Sequence, residues 1–388
     1  MLRTSFSVKA MAAGMLASTM LIVSAHAQEV ATGSTNVAVI PDADLFIRVD
    51  LASMRDTAIY DKFKELREAD GKPAVQAEDM KEMAEQLKSI TGLTDKDFQK
   101  IVVSAVLKDL DLEAGNYKQA TDNLNGAMAI QVAKSVTLDQ LEEAARKATA
   151  EKEDVEVGIT RDAYKGRELL VLTSVKDGQE EQPMAVTTSA DGKVIILGSM
   201  PGIRGAFDRS ASGQVVAASD ALGLPNDKLP QIAVRFDLTE QMREKMRQQN
   251  PQEQPPQGGN PMAGVAAAFR NLEQVKAFVT MADDAKVMLS LGVGSVDSAQ
   301  QAKGVLDNQV LSMLRMMATT LVGGQPLDVL NTLKTVADPK GSVQLSFALT
   351  AADIEKLQKA GMKGPGARGP RGVPGDAPTI QPSPAPNE

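Results

Sequence analysis

The sequence predicts an α+β fold made of two similar repeats, each a mainly antiparallel sheet with helices packed on one face. Three observations carry this expectation. Short runs rich in β-branched residues are joined by tight turns, which implies antiparallel pairing. Other segments carry apolar residues at three- and four-residue spacing, so their helices have one stripe to bury against a sheet. A strand–helix pattern also recurs, in the same order, in the two halves of the chain.

The recurrence rests on particular residues. Phe46-Ile47-Arg48-Val49-Asp50-Leu51 matches Ala233-Val234-Arg235-Phe236-Asp237-Leu238, and both keep Arg-x-Asp-Leu. Further on, Met128 to Gln140 aligns without gaps to Met288 to Gln300, with Met, Ser-Val and Gln at identical spacing. The two units form either separate domains or one continuous sheet, and two similar lobes that pack together are the preferred expectation.

Taken in order, the first repeat, 39–210, opens with a strand over 44–51 and a helix over 53–69, broken by Gly71-Lys72-Pro73. A second helix over 76–90 places Met80, Met83, Leu87 and Ile90 on one face. Strands over 101–107 and 126–134 flank a polar loop, and Thr137 caps a helix running to about Ala150. A meander over 155–161, 168–173, 184–189 and 193–198 follows, with Asp191-Gly192 as a hairpin signal, and a short helix over 201–209 closes the unit.

Residues 211–229 connect the units. The second repeat, 230–360, opens with a strand over 231–238 and a helix to Gln248. The Pro/Gln/Gly-rich loop 249–261 is expected to be mobile. A helix over 262–273, strands over 275–282 and 286–294, a long helix over 297–321 and a short one over 326–336 follow. The strand 342–349 and a helix capped by Thr350 end the unit. The Gly/Pro-rich tail 361–388 is expected to be disordered, as is the polar segment 28–38.

The first 27 residues carry Arg3 and Lys9, an apolar run from Ala10 to Val23, and Ala25-His26-Ala27. That is the pattern of a secretory signal peptide cut after Ala27. The run is shorter than the roughly 20 residues a spanning helix needs. The expected location is therefore periplasmic or secreted, with no transmembrane segment in the mature chain. Removing 1–27 takes two positive charges and no acid, so the net charge passes from −8 to −10. Such an acidic chain, with aromatics at 3%, is not expected to bind nucleic acid.

Residue types missing from the mature chain narrow its chemistry. There is no Cys or Trp, and the only His is His26, inside the signal peptide. This excludes Ser-His-Asp and Cys-His nucleophile systems, His/Cys zinc sites, His-ligated haem and iron–sulfur clusters. No cofactor is expected. Met fills much of the interior, with 15 of the 19 methionines in residues 28–388.

The candidate ligand-binding residues are Arg48, Asp50, Arg235 and Asp237. Residues i and i+2 share one face of a strand, so each Arg and Asp form a pair able to meet an anionic or polar ligand at a pseudo-twofold groove. The same pairs also serve as ion pairs that fix strand register, and this structural reading is preferred. Asp109, Asp111 and Glu113 alternate in a loop but fail the Ca²⁺-loop pattern, so they read as solvated charges. Met313, Met316 and Met317 read as a core stripe, and the Gly-x-y triplets at Gly366, Gly369, Gly372 and Gly375 as a flexible tail.

Pro41-Asp42-Ala43-Asp44 through Val49-Asp50-Leu51, following a signal peptide, resembles the opening of uncharacterised exported bacterial proteins common in planctomycetes. The resemblance implies export and brings no activity with it. The resulting expectation is an exported, non-enzymatic binding or envelope-associated protein, its partner an unknown small molecule or envelope protein. The alternatives are a carboxylate-dependent hydrolase and a carrier of a hydrophobic small molecule. The oligomeric state is open.

Overall fold

The computed structural model describes residues 43–69, 88, 91–107, 125–150, 156–176, 179–180, 182–211, 221–224, 229–249, 270–312 and 327–361. The signal peptide, the segment 28–38, the acidic residues 109–113, Met313, Met316, Met317 and the four tail glycines lie outside these. So do the loop 249–261 and the tail 361–388, apart from Gln249 and Gly361.

Among the described residues, thirteen strands form one antiparallel sheet. The first half contributes β1 (Leu45–Asp50), β2 (Phe98–Val106), β3 (Asn125–Val132), β4 (Glu156–Tyr164), β5 (Arg167–Lys176), β6 (Gln179–Glu180), β7 (Met184–Thr188) and β8 (Val194–Ser199). The second half contributes β9 (Ile232–Asp237), β10 (Gln274–Met281), β11 (Asp284–Gly292), β12 (Lys334–Asp338) and β13 (Ser342–Thr350). The strand order is β12-β13-β11-β10-β9-β1-β2-β3-β8-β7-β5-β4, with β6 beside β5. The halves therefore do not pack as two lobes. They share one continuous sheet through β1 and β9, the opening strands of each half.

The helices are α1 (Leu51–Arg55), α2 (Ala58–Ala69), α3 (Leu138–Ala150), α4 (Met200–Ala211), α5 (Glu240–Gln249), α6 (Val296–Val305), α7 (Val329–Thr332) and α8 (Ala351–Gly361). Their caps are built from the residues at their starts. Asp50 accepts from Ser53 N–H at the start of α1. Thr137 and Gln140 cap each other across the first turn of α3, and Thr350 and Asp353 do the same for α8. The expected helix over 53–69 is interrupted, because Thr57 Oγ1 donates back to Met54 C=O and the chain restarts at Ala58.

Strand alternation decides which helix lies where. Val49, Ile101, Met128, Ile130 and Leu197 point to one face, where they pack with Leu51 and Met54 of α1 and Leu141 of α3. On the same face Met242 of α5 meets Ala105 and Phe236, and Ala302 of α6 meets Leu291 and Val343. Ile59 of α2 meets Ala285 and Ile354 of α8 there. We call this the helix face.

The expectation that helices occupy one face only does not hold. Ile203 and Phe207 of α4 pack with Ala129 and Ile196, which point the other way. Beside them, Ala221 and Leu222 cover Phe46, Val102, Ala233 and Phe278. Glycine makes the α4 packing close. A Cβ on Gly202 would lie 2.3 Å from the Gly126 carbonyl oxygen, and one on Gly198 would lie 2.2 Å from it.

Three further expectations are corrected. The segment 326–336, read as a helix, holds a single turn at Val329–Thr332 and then the strand β12. Leu330, Leu333 and Val336 have helical spacing, but Thr335, Val336 and Ala337 pair with β13 at the edge of the sheet. The long helix over 297–321 passes into a π-turn at Leu306–Val310. Residues 270–273, expected in a helix, are turn and coil.

Candidate functional site

The site is built around the β1–β9 join. The register pairs Arg48 with Ala233, Ile47 with Val234 and Phe46 with Arg235. Ile47 and Val234, matched in the sequence, therefore face one another, and a local twofold axis passes between them. Asp50 N–H donates to Gln231 C=O at 2.6 Å, and Asp237 N–H donates to Asp44 C=O at 2.7 Å. These bonds are related by that axis.

Side chains follow the same relation. Arg48 Nη1 donates to the Pro230 carbonyl at 2.6 Å, and Nη2 meets Asp50 Oδ2 at 2.7 Å. Arg235 Nη2 donates to the Ala43 carbonyl at 2.9 Å and meets Asp237 Oδ2 at 2.8 Å, while Nη1 donates to the Ala221 carbonyl. Asp44 accepts from Leu107 N–H at 2.7 Å, and Gln231 Oε1 accepts from Met281 N–H at 2.9 Å. Asp50 is approached by Lys100 at 3.9 Å, and Asp237 by Gln274.

The structure thus brings Arg48, Asp50, Arg235 and Asp237 to one face of adjacent strands. It does not converge the two guanidinium groups. Arg48 reaches toward Asp50 and Pro230, and Arg235 toward Asp237 and Ala43, at opposite ends of the strand pair. Arg48 is 7% exposed, and both its Nη atoms are taken by protein oxygens. Each ion pair lies within one strand, tied across to the neighbouring segment by a charged bond to a carbonyl.

The two ends of this join differ in one residue. On β2, Val102 stands opposite Arg48, whereas on β10, Lys276 stands opposite Arg235. Ser290 of β11 pairs with Lys276, and Gln344 of β13 pairs with Ser290. All four side chains share the face opposite the helix face defined above. Lys276 is half-buried and makes no hydrogen bond or ion pair with another described residue. Burial lowers its pKa, neighbouring Arg235 lowers it further, and Asp237 offsets part of this. Arg235 Nε is buried and has no acceptor. Sequence reasoning missed Lys276, because only the strand register sets it beside Arg235 where Val102 stands beside Arg48.

The remaining polar groups are occupied differently. The buried carboxylates among the described residues are Asp97 and Asp353. Asp97 accepts from Thr94 N–H at 2.6 Å and Oγ1 at 2.8 Å, and meets Lys134 at 3.0 Å. Asp353 accepts from the N–H groups of Asp328, Val329 and Thr350. Both carboxylates are spent on backbone donors. Among the described residues no cluster of three or more acidic residues fit to hold a metal is present, and no helix is long and apolar enough to cross a membrane.

No family model, no curated protein and no solved structure matches the chain.

Proposed function

We propose that this chain is an exported, non-enzymatic binding protein that takes an anionic group at the Arg235 end of the β1–β9 join, on the sheet face that carries Lys276. Lys276 supplies the charge, and Arg235, Ser290 and Gln344 flank it. One observation carries the reading: Lys276 is a half-buried cation beside a second cation, with Asp237 offsetting only part of the cost and no hydrogen bond or ion pair to it among the described residues. A carboxylate or phosphate at that point would offset the desolvation that the fold leaves uncompensated. The unpartnered Nε of Arg235 supports the same placement.

The halves are read as diverged repeats. The bonds related by the axis between Ile47 and Val234 support this. On this reading two features measure how far the halves have diverged. Met128 packs on the helix face, whereas Met288 packs with Phe46 and Phe278 on the other, so their match in sequence is not a match in place. The helix after β8 and the helix after β13 also cover opposite faces. On this reading Arg48 and Asp50 keep the structural role, and the Arg235 end has gained the ligand. Export rests on the N-terminal pattern of residues 1–27.

The test is thermal melting of the wild type and Lys276→Met with citrate, phosphate and chloride at matched ionic strength. The wild type should be stabilised by citrate or phosphate beyond chloride, and Lys276→Met should lose that response. Without ligand, Lys276→Met should melt higher than the wild type, because it removes an unpaired desolvated cation. A lower melting point for Lys276→Met, with anion responses unchanged, would overturn the proposal. The pH dependence has a definite sign. The unfolded chain holds the Lys276 proton more tightly, so this residue makes wild-type stability rise as pH climbs through its folded value toward about 10.4.

A further inference from the structure

Among the described residues the sheet ends at β12, and the chemistry of that edge is complementary to itself. Lys334, Val336 and Asp338 share one face of the strand, with Lys334 and Val336 exposed. Val336 is 55% exposed, the more exposed of two large hydrophobic residues so placed among the described residues. On the helix face, Thr335 is held by Asp307.

Backbone direction at this edge follows from the neighbouring bonds. Gly341 N–H donates to Asp338 C=O, and Val293 N–H donates to Gly341 C=O. By alternation, Lys334, Val336 and Asp338 turn their backbone groups toward β13, and Thr335 and Ala337 turn theirs outward.

We propose that β12 is the seam of a twofold dimer, in which a second copy of this chain adds its own β12 antiparallel to the first. Centred on Val336, the pairing sets Val336 against Val336 of the second copy at a closely approaching, non-hydrogen-bonded position. Thr335 and Ala337 exchange their outward backbone bonds with Ala337 and Thr335 of that copy. Lys334 meets Asp338 on both sides of the centre, so two opposite-charge pairs flank an apolar contact. Registers that set Lys334 against Lys334, or Asp338 against Asp338, place like charges opposite each other. A lysine on an edge strand ordinarily deters pairing; here the aspartate four residues on answers it. Asp338 also accepts from Lys340 N–H at 2.7 Å within its own turn, which holds the carboxylate in place. A five-residue seam is smaller than the roughly 1,600 Å² of a standard stable interface, so the dimer forms and dissociates with concentration.

Two measurements on the protein expressed from its full sequence test this. Sedimentation velocity over a range of concentrations should show reversible dimerisation. Lys334→Asp, which turns both charge pairs repulsive, should raise Kd by about tenfold or more, and the Lys334→Asp/Asp338→Lys double swap should restore association. The chain has no cysteine, so Val336→Cys should oxidise to a disulfide-linked dimer far faster than Val296→Cys, whose residue is also exposed. A wild type that stays monomeric at every concentration would overturn the proposal and leave the edge to a different chain. Association unaffected by Lys334→Asp, failure of the double swap to restore it, or equal cross-linking of both cysteine variants would each overturn the seam or its register.

Discussion

Replacing Arg48 with methionine separates a structural clamp from a ligand contact. The substitution keeps much of the side-chain volume and removes the guanidinium. It leaves the Pro230 carbonyl without its 2.6 Å donor, and it leaves Asp50 with its cap bond from Ser53 N–H and the longer approach of Lys100 at 3.9 Å. Each charged hydrogen bond is worth about 1.5–3 kcal/mol net, and removing one partner of a buried ion pair costs about 3–5 kcal/mol. Both partners of this pair are largely shielded, at 8% and 13% side-chain exposure. The expected loss is therefore about 3–5 kcal/mol, about 4–7 °C in Tm for a chain of this size. Urea unfolding followed by far-UV circular dichroism measures it, with the slope checked for constancy. A loss below about 1 kcal/mol would refute the reasoning, because charged bonds that shielded should not be silent.

Further outcomes follow from the packing and the titrating groups. Gly202→Ala should destabilise by about 1–3 kcal/mol or more, since its Cβ would collide with the Gly126 carbonyl. Gly205→Ala, on the same helix with open space around it, should be neutral or stabilising by up to about 1 kcal/mol; equal effects in melting experiments would disprove the close approach of α4 to β3. Burial raises the Asp97 pKa, but the bonds from Thr94 and Lys134 outweigh it and hold the group below its ordinary value. Its contribution is then fully present above about pH 4 and is lost as pH falls through the folded value. Asp97→Asn should flatten the acid side of the stability profile, and a profile parallel to the wild type would show that Asp97 does not carry it.

Much of the fold was legible because local chemistry decides it. Alternating runs such as Leu45–Asp50 and Ile232–Asp237 became strands, Asp191-Gly192 became a turn with Gly192 at φ 70°, and Thr137 and Thr350 became caps. What failed was decided by distant partners. Lys334–Asp338 has helical apolar spacing, and only pairing with β13 makes it a strand. The continuous sheet depends on β1 meeting β9, a contact across nearly two hundred residues that no local pattern encodes. The side on which α4 packs depends on bare backbone at Gly126, Gly198 and Gly202, which a glycine alone does not announce.

The candidate site divides in the same way. Arg-x-Asp in both halves pointed to the right strands and the right face. The direction of each guanidinium depends on Pro230, Ala43 and Ala221, which are distant carbonyls invisible to residue patterns. Lys276 looks like an ordinary strand lysine until the register sets it beside Arg235.

The join of β1 to β9 underlies the clamps, the axis and the Lys276 site, and a disulfide tests it directly. The bond from Asp50 N–H to Gln231 C=O makes Ile47 and Val234 a non-hydrogen-bonded pair. Their Cα atoms should then lie about 4.5 Å apart, within the roughly 4.4–6.8 Å a disulfide spans. In this cysteine-free chain, Ile47→Cys/Val234→Cys should oxidise quantitatively to an intramolecular disulfide, seen as a faster-migrating monomer on a non-reducing gel. The control Ile47→Cys/Ala233→Cys, with side chains on opposite faces, should stay reduced. Free thiols in the first variant, or equal cross-linking in both, would contradict the continuous sheet.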